Sequence, residues 1–153
     1  MTAMRAFLNR LRQDTLGAAA IEFALLGPAF LVMMLGVLQV GLGLQSYNAM
    51  RNLSADVSRY AMVQYQTGNT VSASQIRTWG RNHAQGSPYL MDPDRLGMTV
   101  EEAETQRVDG ATEMTITVTY QITSVLEFID IDGPRLDFER PIFLLDSSAG
   151  SGT

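Results

Sequence analysis

The stretch Leu16–Gln45, LGAAAIEFALLGPAFLVMMLGVLQVGLGLQ, limits what this chain can fold into more than any other part of it. Between Ala18 and Leu44 its only strongly polar members are Glu22 and Gln39. As a helix those 27 residues measure about 40 Å, against a bilayer hydrocarbon core of about 30 Å. The segment 18–45 is long enough to span a membrane. A cleaved secretory signal would have a shorter apolar region, about 7–15 residues, followed by a small-x-small site. Here the alanine cluster Ala18–Ala20 precedes the apolar run instead, which favours a retained anchor. Glu22 is the awkward residue, because a carboxylate within a membrane is costly unless it lies near the interface or has a partner. Gly27-Pro28 falls inside the span, and a proline there removes a backbone hydrogen bond and crowds the preceding turn, which predicts a kink. Gly36, Gly41 and Gly43 lack side-chain bulk and would permit close helix–helix approach. On the leading side Arg5, Arg10 and Arg12 are opposed only by Asp14, and on the far side stand Arg51 and Arg59. That bias favours a cytoplasmic amino terminus and an exported carboxy-terminal part.

Beyond Gln45 the helical pattern continues but acquires a polar side. Tyr47, Met50, Leu53, Val57, Tyr60 and Ala61 recur at three- and four-residue steps, while Asn48, Arg51, Asn52, Asp56 and Arg59 fall largely opposite. The simplest reading is one helix of roughly 48 residues, about 70 Å long, ended by Thr67-Gly68-Asn69. Ser72 to Gln75 has the spacing of a capping box, with a stripe of Ala73, Ile76, Trp79 and His83 behind it, so a second helix should run to about Ala84. Gly86, Pro88, Pro93 and Gly97 mark the next stretch as loop.

The period then changes to two. Leu96, Met98 and Val100 alternate with small or polar residues, and Met114, Ile116, Val118, Tyr120 and Ile122 alternate with Thr115, Thr117, Thr119, Gln121 and Thr123. Asp109-Gly110 suits the turn between these strands. A third strand should follow Asp132-Gly133-Pro134, with Leu136, Phe138, Ile142 and Leu144 on one face, and Pro141 places it at a sheet edge. The expected fold class is α+β: a long amino-terminal transmembrane-plus-amphipathic helix packed on a small antiparallel β-sheet. The expected organisation is a basic leader at 1–17, a transmembrane or assembly helix at 18–45, an extracytoplasmic α+β domain at 46–146 and a disordered tail at 147–153.

Charge and composition narrow the function. From Asp92 to Asp146 there are thirteen carboxylates and four arginines, an acidic surface that disfavours nucleic acid as a partner. The chain has no cysteine, which removes thiol chemistry. His83 is its single histidine and reads as a member of the second helix's stripe. Asp130-Ile131-Asp132-Gly133 is a weak likeness of a calcium loop whose downstream glutamate is misplaced. No nucleophile, base and oxyanion stabiliser come together, and no Gly-rich phosphate loop is present. The expectation is a non-enzymatic protein with no cofactor, no metal and no small-molecule substrate.

Gly17-Ala18-Ala19-Ala20-Ile21-Glu22-Phe23 resembles the processing site of type IV pilin precursors. The longer run GAAAIEFALLGPAFLVMMLGVLQVG, followed by a tyrosine and a polar-faced helix, is similar to the TadE/TadG-like minor pseudopilins of the Tad (Flp pilus) machinery. The resemblance covers about Gly17 to Met50. It implies a pilin-like fold, cleavage by a prepilin peptidase between Gly17 and Ala18, and an assembly role for Glu22 and Phe23, with Gly27 and Pro28 at the helix kink. It also implies a bacterial inner-membrane location, with other pilin or pseudopilin subunits and the Tad inner-membrane assembly platform as partners. In such an assembly the new amino group at Ala18 of one subunit would neutralise Glu22 of its neighbour. A competing reading is a bitopic membrane protein whose exported domain binds or senses a ligand, with Glu22 incidental.

Overall fold

A computed structural model describes residues 15–127 and 130–145. The arginines of the basic leader and the tail 147–153 lie outside the described residues. Five elements follow in order: α1 (Thr15–Gln66), α2 (Ala73–Gln85), β1 (Leu96–Glu102), β2 (Ala111–Gln121) and β3 (Arg135–Leu145). The chain divides into two compact units, with the boundary inside α1 after Val40.

In the first unit α1 is apolar on every side. Most of its large side chains, among them Phe23, Leu25, Phe30, Val32 and Met33, are exposed. A helix without a polar face has no preferred side to bury in a small soluble domain and is suited to lipid or to other helices. Among the described residues this is the one helix long and apolar enough to cross a membrane.

The second unit is a three-stranded antiparallel sheet in the order β1-β2-β3, with the helices against one face. Val100 pairs with Ile116 and Met98 with Val118 across β1 and β2, while Met114 pairs with Ile142 and Val118 with Phe138 across β2 and β3. The alternation read from the sequence therefore aims its apolar members at one layer. From α1 that layer receives Met50, Leu53, Val57 and Ala61, all fully buried, and from α2 it receives Ile76 and Ala84. Each large apolar side chain so enclosed contributes about 1.5–3 kcal/mol before ordering costs. Pro141 lies in the edge strand β3, as its missing N–H requires.

The helix ends follow their local chemistry. The hydroxyl of Ser72 accepts from the Gln75 backbone N–H at 3.3 Å, and the Gln75 side-chain oxygen accepts from the Ser72 N–H at 2.8 Å. This reciprocal cap is worth about 1 kcal/mol. At the far end of α1, Gly68 takes φ 79°, a left-handed conformation that closes the last turn cheaply only for glycine.

Gly97, which ends the loop signal and also stands in the alternation of Leu96 and Met98, lies within β1, where a Cβ would collide with the Thr119 hydroxyl; the glycine permits close cross-strand approach. Two readings need correction. Asp109-Gly110 forms only the end of a longer connection, residues 103–110, which folds over β2 and brings Arg107 onto Glu113. Asp56 does not lie on the solvated side of α1, because it is turned toward α2 and the loop beyond it.

Candidate functional site

The residues singled out for processing and assembly lie near the start of α1. The described part of α1 begins at Thr15, and both Gly17 and Ala18 lie within it. Glu22 stands one helical turn beyond Ala18, exposed, with no hydrogen bond or ion pair among the described residues. Around it the surface is wholly apolar. Phe23 is 77% exposed, and its ring lies against Gly27, where an added Cβ would sit 3.8 Å from the ring edge. Phe23, Leu26, Gly27, Phe30 and Leu31 line a shallow apolar groove along the helix. α1 runs unbroken through Gly27-Pro28, although Pro28 has no N–H to donate to the carbonyl of Ala24. The arrangement can pack against another apolar helix and offers one carboxylate to it. It has no means of activating a nucleophile.

Residues 17–59 match the family model described as TadE-like protein. Over that segment the chain is similar to the TadE-like family. No curated protein and no solved structure matches the chain. The TadE-like segment takes in Gly17, Ala18, Glu22, Phe23, Gly27 and Pro28, and continues into the part of α1 that packs on the sheet.

The TadE-like segment also carries a polar cluster that the sequence did not disclose. The Asp56 carboxylate accepts from the Tyr89 hydroxyl at 2.7 Å, lies 3.4 Å from the His83 ring nitrogen Nε2 and is paired with Arg59 at 2.7 Å. Tyr89 principally holds the Asp56 carboxyl below its ordinary value of 3.8, against the opposing effect of burial and with help from His83 and Arg59. Burial first, and then the bond to Asp56, pushes the Tyr89 phenol up to about 12. Beside them the rings of Tyr60 and Trp79 stack at 4.2 Å, Trp79 and His83 stack at 4.6 Å, and His83 meets Tyr89 edge-on at 5.6 Å. The cluster fastens α1 to α2 and to the loop after it. His83 belongs to the stripe, as expected, and a carboxylate gives it a partner.

On the opposite flank of α1, Ser54 and Ser58 are buried. Ser54 donates to the Arg51 carbonyl at 2.8 Å and Ser58 to the Ser54 carbonyl at 2.6 Å, so neither hydroxyl is left unpaired. Arg140 of β3 donates from Nε to the Ser54 hydroxyl at 3.1 Å and lies over the Phe138 ring. Asp56, Ser54 and Ser58 were hidden because their polarity placed them outside the apolar stripe. The spacing of Trp79, His83 and Tyr89 was the one available hint of an aromatic patch seeking a polar partner.

Proposed function

We propose that this chain is a minor pilin or pseudopilin, a structural component for assembly of a Tad/Flp pilus that serves adhesion or secretion. In this reading a prepilin peptidase removes 1–17 and frees the amino group of Ala18. The chain sits in the bacterial inner membrane with its amino terminus inside and residues 46–146 outside, and enters the pilus through α1. Its partners are the peptidase, other pilin-like subunits and the Tad assembly platform. The carrying observation is the TadE-like match over a helix whose described part before Val40 exposes a broad apolar surface and bears one carboxylate, Glu22.

The physical logic is neutralisation. Once lipid or neighbouring helices surround α1, an unpaired carboxylate costs several kcal/mol. The new amino group at Ala18 of an adjacent subunit supplies the opposite charge at a similar depth, so the register that pairs the two is favoured. Before cleavage no such amino group exists, and the arginines of the leader hold the precursor in place. Processing and assembly are thereby linked through one residue.

The test is amino-terminal sequencing or mass spectrometry of membrane-extracted protein from cells that carry the peptidase. The expected chain starts at Ala18, Gly17→Ala blocks the corresponding loss of about 17 residues, and Glu22→Ala is cleaved normally but fails to enter pili. A chain that starts at Met1 in peptidase-positive cells refutes processing. Normal incorporation of Glu22→Ala refutes the charge pairing.

A further inference from the structure

We infer that the sheet-bearing units of neighbouring copies meet head to tail. The outward face of distal α1 in one copy would lie against the outer row of β3 in the next. Three observations within this unit point there.

The first is a division of charge. Residues 41–85 carry four arginines and one carboxylate, whereas the chain beyond them carries thirteen carboxylates and four arginines. Those four are already engaged: Arg95 with Asp92 and Glu127, Arg107 with Glu113 and the Phe143 ring, Arg135 with Asp137, and Arg140 with Ser54 and the Phe138 ring. The helical layer is therefore left basic and the sheet layer acidic. Two copies joined through the same acidic face would repel, while a basic face meeting an acidic one attracts.

The second is a matching order of side chains. On the side of α1 away from the core, Arg51 is exposed with no ion pair among the described residues, Arg59 is exposed and paired with Asp56, and Met62 is 38% exposed. On β3 the outward row includes Asp137, paired with Arg135, then Glu139, with no ion pair among the described residues, and Phe143, 37% exposed with the Arg107 guanidinium 5.5 Å from its ring centre. Each row thus offers one unpaired charge, of opposite sign, with an apolar side chain further along: Met62 about 16 Å beyond Arg51 and Phe143 about 13 Å beyond Glu139.

The third is direction. The Tyr47 ring meets the Phe138 ring at 5.8 Å, and further along Ser54 is met by Arg140 at 3.1 Å, so β3 runs in the same sense as α1. Two copies side by side in the same orientation then bring Arg51 near the level of Glu139, and Met62 near that of Phe143. The contact uses two different patches and leaves one of each free, so it can propagate along a row of subunits.

The chain has no cysteine, which makes disulfide trapping unambiguous. The full chain is purified in detergent micelles and oxidised. The double variant Met62→Cys, Phe143→Cys should give a ladder of dimers, trimers and higher species. Each single variant should remain monomeric, and a mixture of the two singles should stop at dimers. Arg51→Glu, at a side chain with no ion pair among the described residues, should reduce the ladder several-fold; adding Glu139→Arg to that chain should restore it. Dimers from either single variant, or a ladder indifferent to Arg51→Glu, would overturn the inference. So would the absence of a ladder from a double variant whose Trp79 fluorescence reports a folded unit. The contact does not rest on cleavage at Gly17, and amino-terminal analysis of the same preparation reads processing separately.

Discussion

Removing one hydroxyl, in Tyr89→Phe, tests how much the Asp56 cluster contributes to the fold. The Tyr89 hydroxyl donates to a carboxylate at 2.7 Å, and Asp56 keeps His83 and Arg59 as neighbours when that donor is lost. A hydrogen bond to a charged group contributes about 1.5–3 kcal/mol. The Asp56 side chain is 30% exposed, so water replaces part of the lost bond, and the expected destabilisation is about 1–2 kcal/mol. The alkaline side gives a sharper reading. The Tyr89 phenol lies at about 12 in the fold, above its ordinary 10.0, mainly through burial and then through Asp56. Its contribution is therefore complete below pH 10 and is lost as pH rises from 10 toward 12. A shift of that size corresponds to about 2.7 kcal/mol at most, and to about 1–2 kcal/mol once partial exposure is allowed for. The chain has no lysine and no cysteine, so tyrosines are the side chains that titrate in that window. Trp79, the single tryptophan, stacks between Tyr60 and His83 within the cluster and reports its integrity by fluorescence. Denaturant titrations of the full chain at pH 7, 10 and 12 should show wild type and Tyr89→Phe converging as pH rises. Equal stability at pH 7, or parallel losses up to pH 12, would show that the bond carries no net energy.

Two further perturbations test other parts of the fold. A Cβ added at Gly80 would lie 2.6 Å from Met98 Sδ and 2.9 Å from Val57 Cγ2. Overpacking of about 1–3 kcal/mol outweighs the gain in helix propensity, about 1 kcal/mol, so Gly80→Ala should cost up to about 2 kcal/mol by denaturant titration, and less when Met98 is also shortened to Ala. Arg107 principally holds the enclosed Glu113 carboxyl below its ordinary value of 4.5. That contact stabilises the fold above pH 4.5 and is lost as pH falls below it, so Glu113→Gln should flatten the acid limb of the stability profile measured by circular dichroism.

The legible part of the fold was the part governed by period. Met50, Leu53, Val57 and Ala61 announced their face of α1 by three- and four-residue spacing, and Met114, Ile116 and Val118 announced theirs by alternation; all seven are buried. The Ser72–Gln75 cap and the stop at Gly68 were legible because each depends on atoms within a few residues of chain. What escaped was polar and long-range. Asp56 pairs with Tyr89 across 33 positions and Ser54 with Arg140 across 86, and no local pattern tells a buried, satisfied polar residue from a solvated one. Glu22 was visible for the opposite reason: a lone carboxylate breaks an otherwise apolar run.

The same helix is built under two rules, and the change between them locates its tasks. Before Val40 the apolar residues cover the whole circumference and, Leu35 apart, the large ones are exposed among the described residues. From Met50 onward they collapse onto one stripe, the other side turns polar, and the stripe meets a sheet. A soluble fold can satisfy only the second half. The first half is suited to lipid or to apolar helices of other chains, and in the proposed assembly its carboxylate meets the amino group of a neighbouring subunit. Under the proposed function, Glu22 is costly alone and gains its partner only beside a second subunit. Restoring an apolar side chain at that position should strengthen membrane retention of the monomer while weakening any register that depends on the pair. Opposite signs in those two measurements would separate a device for assembly from a tolerated imperfection in an anchor.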